Sequence, residues 1–375
     1  MRKKIFRKNI PLLNTNPQLK RMIIAASIIS LAAYILVKTI SPESAIPYSK
    51  SMMKAAETME EALSAISDYC ERYGLEIDNN LDPNQTGLIG PELSGIATTL
   101  GNLEAKRSTT NPNFAAVIVH LLEQAEVAPG DTIAIGCSAS FPALMIATLA
   151  AAKAMRVYPV IIISLGASSF GATNPDLNLL TIYEILSSAD IFRVQPAAIS
   201  LGGDRDIGLD FEPEIKEQLI QQIQFTAIPF IYEADLAKNI AERMKIYWGK
   251  FSQNKISAFV NIGGSYANIG TSELVLKLKP GVNKNMQVPR VEDRGVLFEM
   301  AAQHIPIIHL LFVRGLALKY GLPWDPIPLP KSGESMLYLP QSHNDIRFWM
   351  ISIGYFLMFI ILFFSWKVKM SKKIK

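Results

Sequence analysis

The chain has 375 residues, 49% of them hydrophobic, with two cysteines and a formal net charge of +4. That length allows one large or two modest domains. All 33 acids lie between Ser41 and Arg347 beside 24 of the 37 bases, so the middle of the chain carries −9 and lacks the clustered bases of a nucleic-acid-binding domain.

Residues 1–21 are basic, with Arg2, Lys3, Lys4, Arg7, Lys8, Lys20 and Arg21. Residues 22–37 read MIIAASIISLAAYILV, uncharged throughout, and Lys38, Thr39 and Ile40 follow. About 20 apolar residues cross the hydrocarbon core of a bilayer, so 22–40 is expected to be a transmembrane helix. A cleaved signal peptide is the rival, but no small-x-small site follows closely and Lys38 interrupts the end. Over 51–73, Met52, Ala56, Met59, Leu63, Ile66, Cys70 and Tyr73 alternate by four and three, a heptad seam that Gly74 ends. This seam packs on its own domain or pairs two copies of the chain in a homo-oligomer; three heptads alone are marginal for pairing. The rest of the membrane-proximal region 41–110 is turn-rich, and 102–111 reads as loop.

An α/β domain is expected over 111–320. Helices are predicted at 112–126, 141–155, 178–187, 212–224, 234–251, 294–304 and 313–320. Strands are predicted at 132–136, 158–164, 197–201, 228–232, 258–262 and 307–311. The strands are apolar without polar alternation, as in strands buried on both faces, and their alternation with helices implies parallel crossovers. The fold class is therefore α/β, a doubly wound, mostly parallel sheet flanked by two transmembrane helices. Cys137 ends a predicted buried strand and Cys70 sits in a helix, which points away from a disulfide. No second Cys or His stands at zinc-ligand spacing, and neither a metal nor a cofactor is expected.

Residues 321–347 carry Pro323, Pro326, Pro328, Pro330 and Pro340 and read as a stiff return segment. Residues 348–366 read FWMISIGYFLMFIILFFSW, a second predicted transmembrane helix, and the tail 367–375 holds five lysines. Bases flanking both spans place both termini in the cytoplasm and the domain outside the cell (inner) membrane.

Four predicted strands end in glycine- and hydroxyl-rich turns: Gly136-Cys-Ser-Ala-Ser140, Gly166 to Asn174, Gly202-Gly-Asp-Arg-Asp206 and Gly263-Gly-Ser-Tyr-Ala-Asn268. In an open parallel sheet such turns gather at the carboxyl edge, where ligands bind. Ser138 lies in a strand–turn–helix setting resembling G-x-S-x-G without the last glycine. A triad would take His309 as base and Asp204 or Asp206 as its orienting acid. His309 in an apolar strand also reads as a core histidine. The competing use is anion binding: free N–H groups opening the 141–155 helix, the hydroxyls of Ser138 and Ser140, and a nest at Gly263, Gly264 and Ser265. Arg107, in the cluster EAKRSTTNPNF with Lys106, Asn111 and Asn113, and Arg205 would assist, although both clusters also read as solvated turns. G-x-x-x-x-G-K-[ST] is absent, which argues against nucleotide hydrolysis.

The strings GPELSGIATTLGNLEAKRSTTNPNFAAV (90–117), GCSASFPAL (136–144) and VNIGGSYANIG (260–270) resemble the bacterial poly-gamma-glutamate system protein family. The resemblance implies an accessory component of the membrane machinery that makes and exports poly-gamma-glutamate, with other membrane subunits, the anionic γ-glutamyl polymer and the lipid bilayer as partners. It brings no assigned catalytic residues. If Ser138 is activated, the alternative is a serine-dependent amidohydrolase or transferase acting on γ-glutamyl amides.

Overall fold

The computed structural model describes residues 17–40, 49–249, 255–338 and 346–371. The basic residues 2–8, the tail beyond 371, the end of the Pro-rich segment at 339–345 and the last residues of the helix expected to reach 251 lie outside the described residues. The chain forms two compact units, Met1–Pro47 with Pro340–Lys375, and Tyr48–Leu339.

Helix α1 (Pro17–Ile40) belongs to the first unit. The second unit opens with α2 (Ser49–Tyr73), then β1 (Ala97–Thr99), α3 (Leu103–Thr109) and α4 (Asn113–Gln124). The alternating region follows: β2 (Thr132–Ser138), α5 (Pro142–Met155), β3 (Tyr158–Ser164), β4 (Ala167–Ser168), α6 (Leu179–Ser188), β5 (Ala198–Ser200), α7 (Pro213–Phe225), β6 (Phe230–Ile231), α8 (Leu236–Trp248) and β7 (Ile256–Ile262). It closes with α9 (Tyr266–Ile269), β8 (Gly281–Asn283), α10 (Val296–Ala302), β9 (Ile307–His309) and α11 (Val313–Lys319).

Seven strands form one sheet in the order β6-β5-β3-β2-β7-β9-β8. All neighbours are parallel except β8, which runs antiparallel along β9. From β2 the chain steps outward through β3, β5 and β6, then returns to lay β7 on the other side of β2. The topological switch therefore falls between β2 and β7, where the carboxyl ends of the strands leave a crevice. The expected α/β class and mostly parallel sheet are present.

The layers explain the composition. Helix α5 reads PALMIATLAAAKAM and is buried almost all round, because it lies under α2 and α4. A helix apolar on every side needs that position. The seam of α2 faces α4 and α5, with Met52, Ala56, Met59 and Ile66 fully buried. Each large side chain buried there contributes about 1.5–3 kcal/mol, an upper figure because a real unfolded chain is partly collapsed. The seam is thus spent within its own domain, and this face of α2 is not the one on which a second copy could pair. On the other side of the sheet, Tyr247 of α8 and Leu297, Phe298 and Met300 of α10 pack with Phe259 and Ile307. Both cysteines are buried and free.

Two expectations change. Residues 103–109, read as loop, form α3, started by Asn102, whose side chain accepts from Ala105 N. The stretch after Gly321 is more than a return segment, because it is strapped to the domain. Asn113 Oδ1 accepts from Gly333 N and Tyr338 Oη, and its Nδ2 donates to Lys331 O.

The last helix, α12 (Ile346–Ser371), lies against α1 in the first unit, and Ser30 Oγ is 3.1 Å from Tyr355 Oη. Among the described residues no helix is long and apolar enough to cross a membrane. The structure therefore does not support the spans expected in α1 and α12.

Candidate functional site

The β2–α5 turn and the β7–α9 turn face each other across the switch point. The register pairs Cys137 with Ile262, which brings Ser138 beside Gly263. Gly263 has φ of +84°, and a Cβ there would sit 2.0 Å from Ser138 Oγ. Glycine is required at this position both for its backbone conformation and for the space. Pro142 occupies the first turn of α5, where its missing N–H costs no hydrogen bond.

A cavity of about 740 Å³ opens at this edge. Its walls come from Thr98–Lys106, the turn at Ser138–Phe141, Gly166 and Ser168, the loop at Gly202–Asp204 with Asp210, the turn at Gly264–Tyr266, the segment Leu311–Arg314, and Trp324. Among the described residues, the N–H groups of Ser140, Phe141, Gly264 and Ser265 donate to no protein acceptor. The hydroxyls of Ser138 and Ser265 are also buried without a partner. Ser138 is 3% exposed, and the cost of such an orphan is about 1–3 kcal/mol.

The buried cation of this cavity is Lys106, on α3; Arg314, exposed on the wall, stands 5.7 Å from the Trp324 ring centre. Lys106 is 3% exposed, its Nζ donates to Ser140 O and to Ser168 Oγ (2.7 Å), and it stands 3.8 Å above the centre of the Phe141 ring. No carboxylate among the described residues pairs with it. Burial pushes its ammonium down to about 7, because desolvation disfavours the charged form and no carboxylate opposes it.

The expected triad is not assembled. Among the described residues Ser138 Oγ has no hydrogen-bond partner. His309 is buried, and its Nδ1 lies 3.2 Å from Asn261 Nδ2, which also donates to Gly263 O at 2.9 Å. Burial pushes the imidazole down to about 4, so the ring is neutral at pH 7, the core histidine that an apolar strand suggests. Asp204 is exposed on the cavity rim, and its N–H donates to Asp210 Oδ1. Asp206 is committed elsewhere. Its carboxylate accepts from Ser200 Oγ (2.9 Å), Asn239 Nδ2 (2.9 Å) and Arg243 Nη2 (2.5 Å), all buried.

The anion-binding candidates divide. Ser138, Ser140, Gly264 and Ser265 line the cavity, and Gly263 backs Ser138. Arg107 does not line it: its guanidinium makes a two-pronged pair with Asp325, at 2.7 and 2.5 Å. Arg205 is exposed on its turn, away from the cavity lining. Sequence reasoning chose Arg107 and passed over Lys106 in the same cluster. Adjacent residues of a helix point about 100° apart, so once α3 forms only one of the two can face the cavity. Tyr266, Phe312 and Trp324 were also missed, since no local pattern marks an aromatic as a rim residue. Among the described residues no group of His, Cys, Asp and Glu is placed to hold a metal ion.

No family model, curated protein or solved structure matches this chain.

Proposed function

We propose that this chain is a two-pass accessory protein of poly-gamma-glutamate synthesis or export in the cell membrane, and that the cavity of its outside α/β domain binds carboxylates of the polymer. One observation carries the binding: Lys106 is buried in the cavity wall without a carboxylate partner. A buried charge without a partner is costly, and an anionic ligand group set among free N–H donors offsets that cost.

The pathway rests on the three strings that resemble the poly-gamma-glutamate system proteins. They lie far apart in sequence, yet each supplies wall to the one cavity: Thr98–Lys106 from the first, Ser138–Phe141 from the second, Gly264–Tyr266 from the third. The membrane reading rests on the uncharged runs at 22–37 and 348–366 and on the bases beside them. Ile24, Ile28 and Leu31 of α1, and Phe356, Ile361 and Phe364 of α12, are more than half exposed. Apolar surface of that extent calls for a cover, and lipid is the cover these runs suit.

The test is genetic and topological. In a polymer-producing host, replacing the chain by its Lys106→Met variant should cut polymer yield with protein level unchanged. A reporter fused near residue 200 should be active outside the membrane. Normal polymer with Lys106→Met, or an outside-inactive reporter, contradicts the reading. Catalysis through Ser138 is the second reading, favoured by an unpartnered hydroxyl and a depressed lysine in one cavity. Ser138→Ala separates the two: an unchanged length distribution supports binding alone, whereas loss of shortened chains supports γ-amide cleavage.

A further inference from the structure

We infer that the cavity takes the free carboxyl-terminal glutamate of a γ-linked chain, one carboxylate on each of the two facing turns and Lys106 serving as their counter-ion. This rests on the γ-glutamyl reading above and names which part of the polymer enters.

The chemistry of the polymer sets the choice. An interior γ-linked residue carries one free α-carboxylate. The amino-terminal residue adds an ammonium. The carboxyl-terminal residue alone carries two carboxylates, α and γ, separated by three carbons. The cavity offers two sets of donors to match. Ser140 and Phe141 present free N–H groups on one turn, Gly264 and Ser265 on the other, and the unpartnered Ser138 Oγ lies between the two turns. Ser138 and Lys106 are both more than nine-tenths buried, so the polar end of this cavity is a built site and not a wet surface.

The shape of the mouth disfavours the interior of the chain. Seven segments surround the cavity, and its volume of about 740 Å³ falls in the range of ~300–1,000 Å³ usual for small-molecule pockets. An interior segment would have to enter and leave, passing the exposed Asp204, Asp210 and Arg314 of the lining twice. An end enters once. The exposed Leu100, Tyr266 and Phe312 at the mouth offer apolar surface to the paired methylenes of the γ-glutamyl backbone.

The experiment is calorimetric titration of the full chain in lipid nanodiscs with three γ-glutamyl tetramers: one with free ends, one acetylated at the amino end, and one with both carboxyl groups of its last residue converted to carboxamides. The free and acetylated tetramers should bind alike, and the carboxamide should bind at least about tenfold more weakly. Affinity per chain should not change when the chain is lengthened, because one end gives one binding event, whereas an interior site gains statistical weight with every added residue. Equal binding of the carboxamide, loss on acetylation, or affinity per chain rising with length overturns the inference and leaves the polymer reading standing. Failure of all three tetramers and of the long polymer overturns both.

Discussion

Two cations are buried along the same edge of the sheet, and they are held in opposite ways. Arg243 on α8 faces Asp206, with Ser200 and Asn239 closing the network around the pair. Lys106 on α3 faces backbone and hydroxyl oxygens and an aromatic ring, with no carboxylate. The first arrangement holds its counter-charge within the protein, with Arg243 Nη1 alone of the guanidinium nitrogens buried without a partner among the described residues. The second lacks a negative charge. A buried ion pair of this kind is costly to break and adds little net stability, so Arg243 and Asp206 read as the pins of the loop after β5. A buried cation left unpaired is a cost that folding alone does not offset, and a ligand that supplies the anion does.

The contrast is broken most forcefully at Arg243. Arg243→Met strands the Asp206 carboxylate and should destabilise the domain by about 3–5 kcal/mol in urea unfolding; a cost near that of a surface change would remove the distinction. Next in size is Gly263→Ala. The added Cβ meets Ser138 Oγ at 2.0 Å on a backbone with φ of +84°, and strain plus overpacking should cost about 1–3 kcal/mol. The double variant with Ser138→Gly should recover the steric part and leave the backbone part.

Lys106→Met should leave unfolding free energy unchanged or raised while abolishing ligand binding, the reverse of what Arg243→Met does to stability. Its pH signature has a definite sign. The folded lysine titrates at about 7 and the unfolded one near ~10.4. Between those values the unfolded state holds the extra proton, so stability rises with pH across this window, and the rise should vanish in Lys106→Met. On the acid side His309, at about 4 when folded against ~6.5 unfolded, makes stability fall as pH drops through that interval, and His309→Asn should flatten the fall. The smallest effect belongs to Ser138→Ala. Deleting an unpartnered hydroxyl should shift stability by no more than about 1 kcal/mol in either direction while weakening ligand binding several-fold.

Much of the fold was legible in the chain because its signals are local. The apolar run 158–164 coincides with β3 (Tyr158–Ser164), and Pro142 and Asn178 mark the starts of α5 and α6 within a residue of expectation. The seam of α2 was read correctly as a seam, and its partner emerged only when α4 and α5 were in place. Elements fixed by distant contacts escaped. Strand β1 exists because it pairs with β4, about seventy residues on, and β8 is a three-residue edge strand on β9. At the site, the glycine turns were found from their repetition at strand ends. Lys106 was not, since a lysine acquires meaning from its burial, which no local spacing encodes. Arg107 and Asn113 belong to the same stretch and hold the Pro-rich strap in place, a tertiary task equally silent in sequence.

The central claim is that Lys106 is a buried ammonium awaiting an anion. Its own titration tests this most directly, followed by NMR on lysine-labelled full-length chain, free and saturated with the γ-glutamyl tetramer, with Lys106→Met assigning the signal. The free protein should show a lysine titrating at about 7, and the ligand should move it upward toward the ordinary ~10.4 as a carboxylate arrives beside it. A Lys106 that titrates near the ordinary value without ligand, or one that does not move when the tetramer binds, contradicts the account.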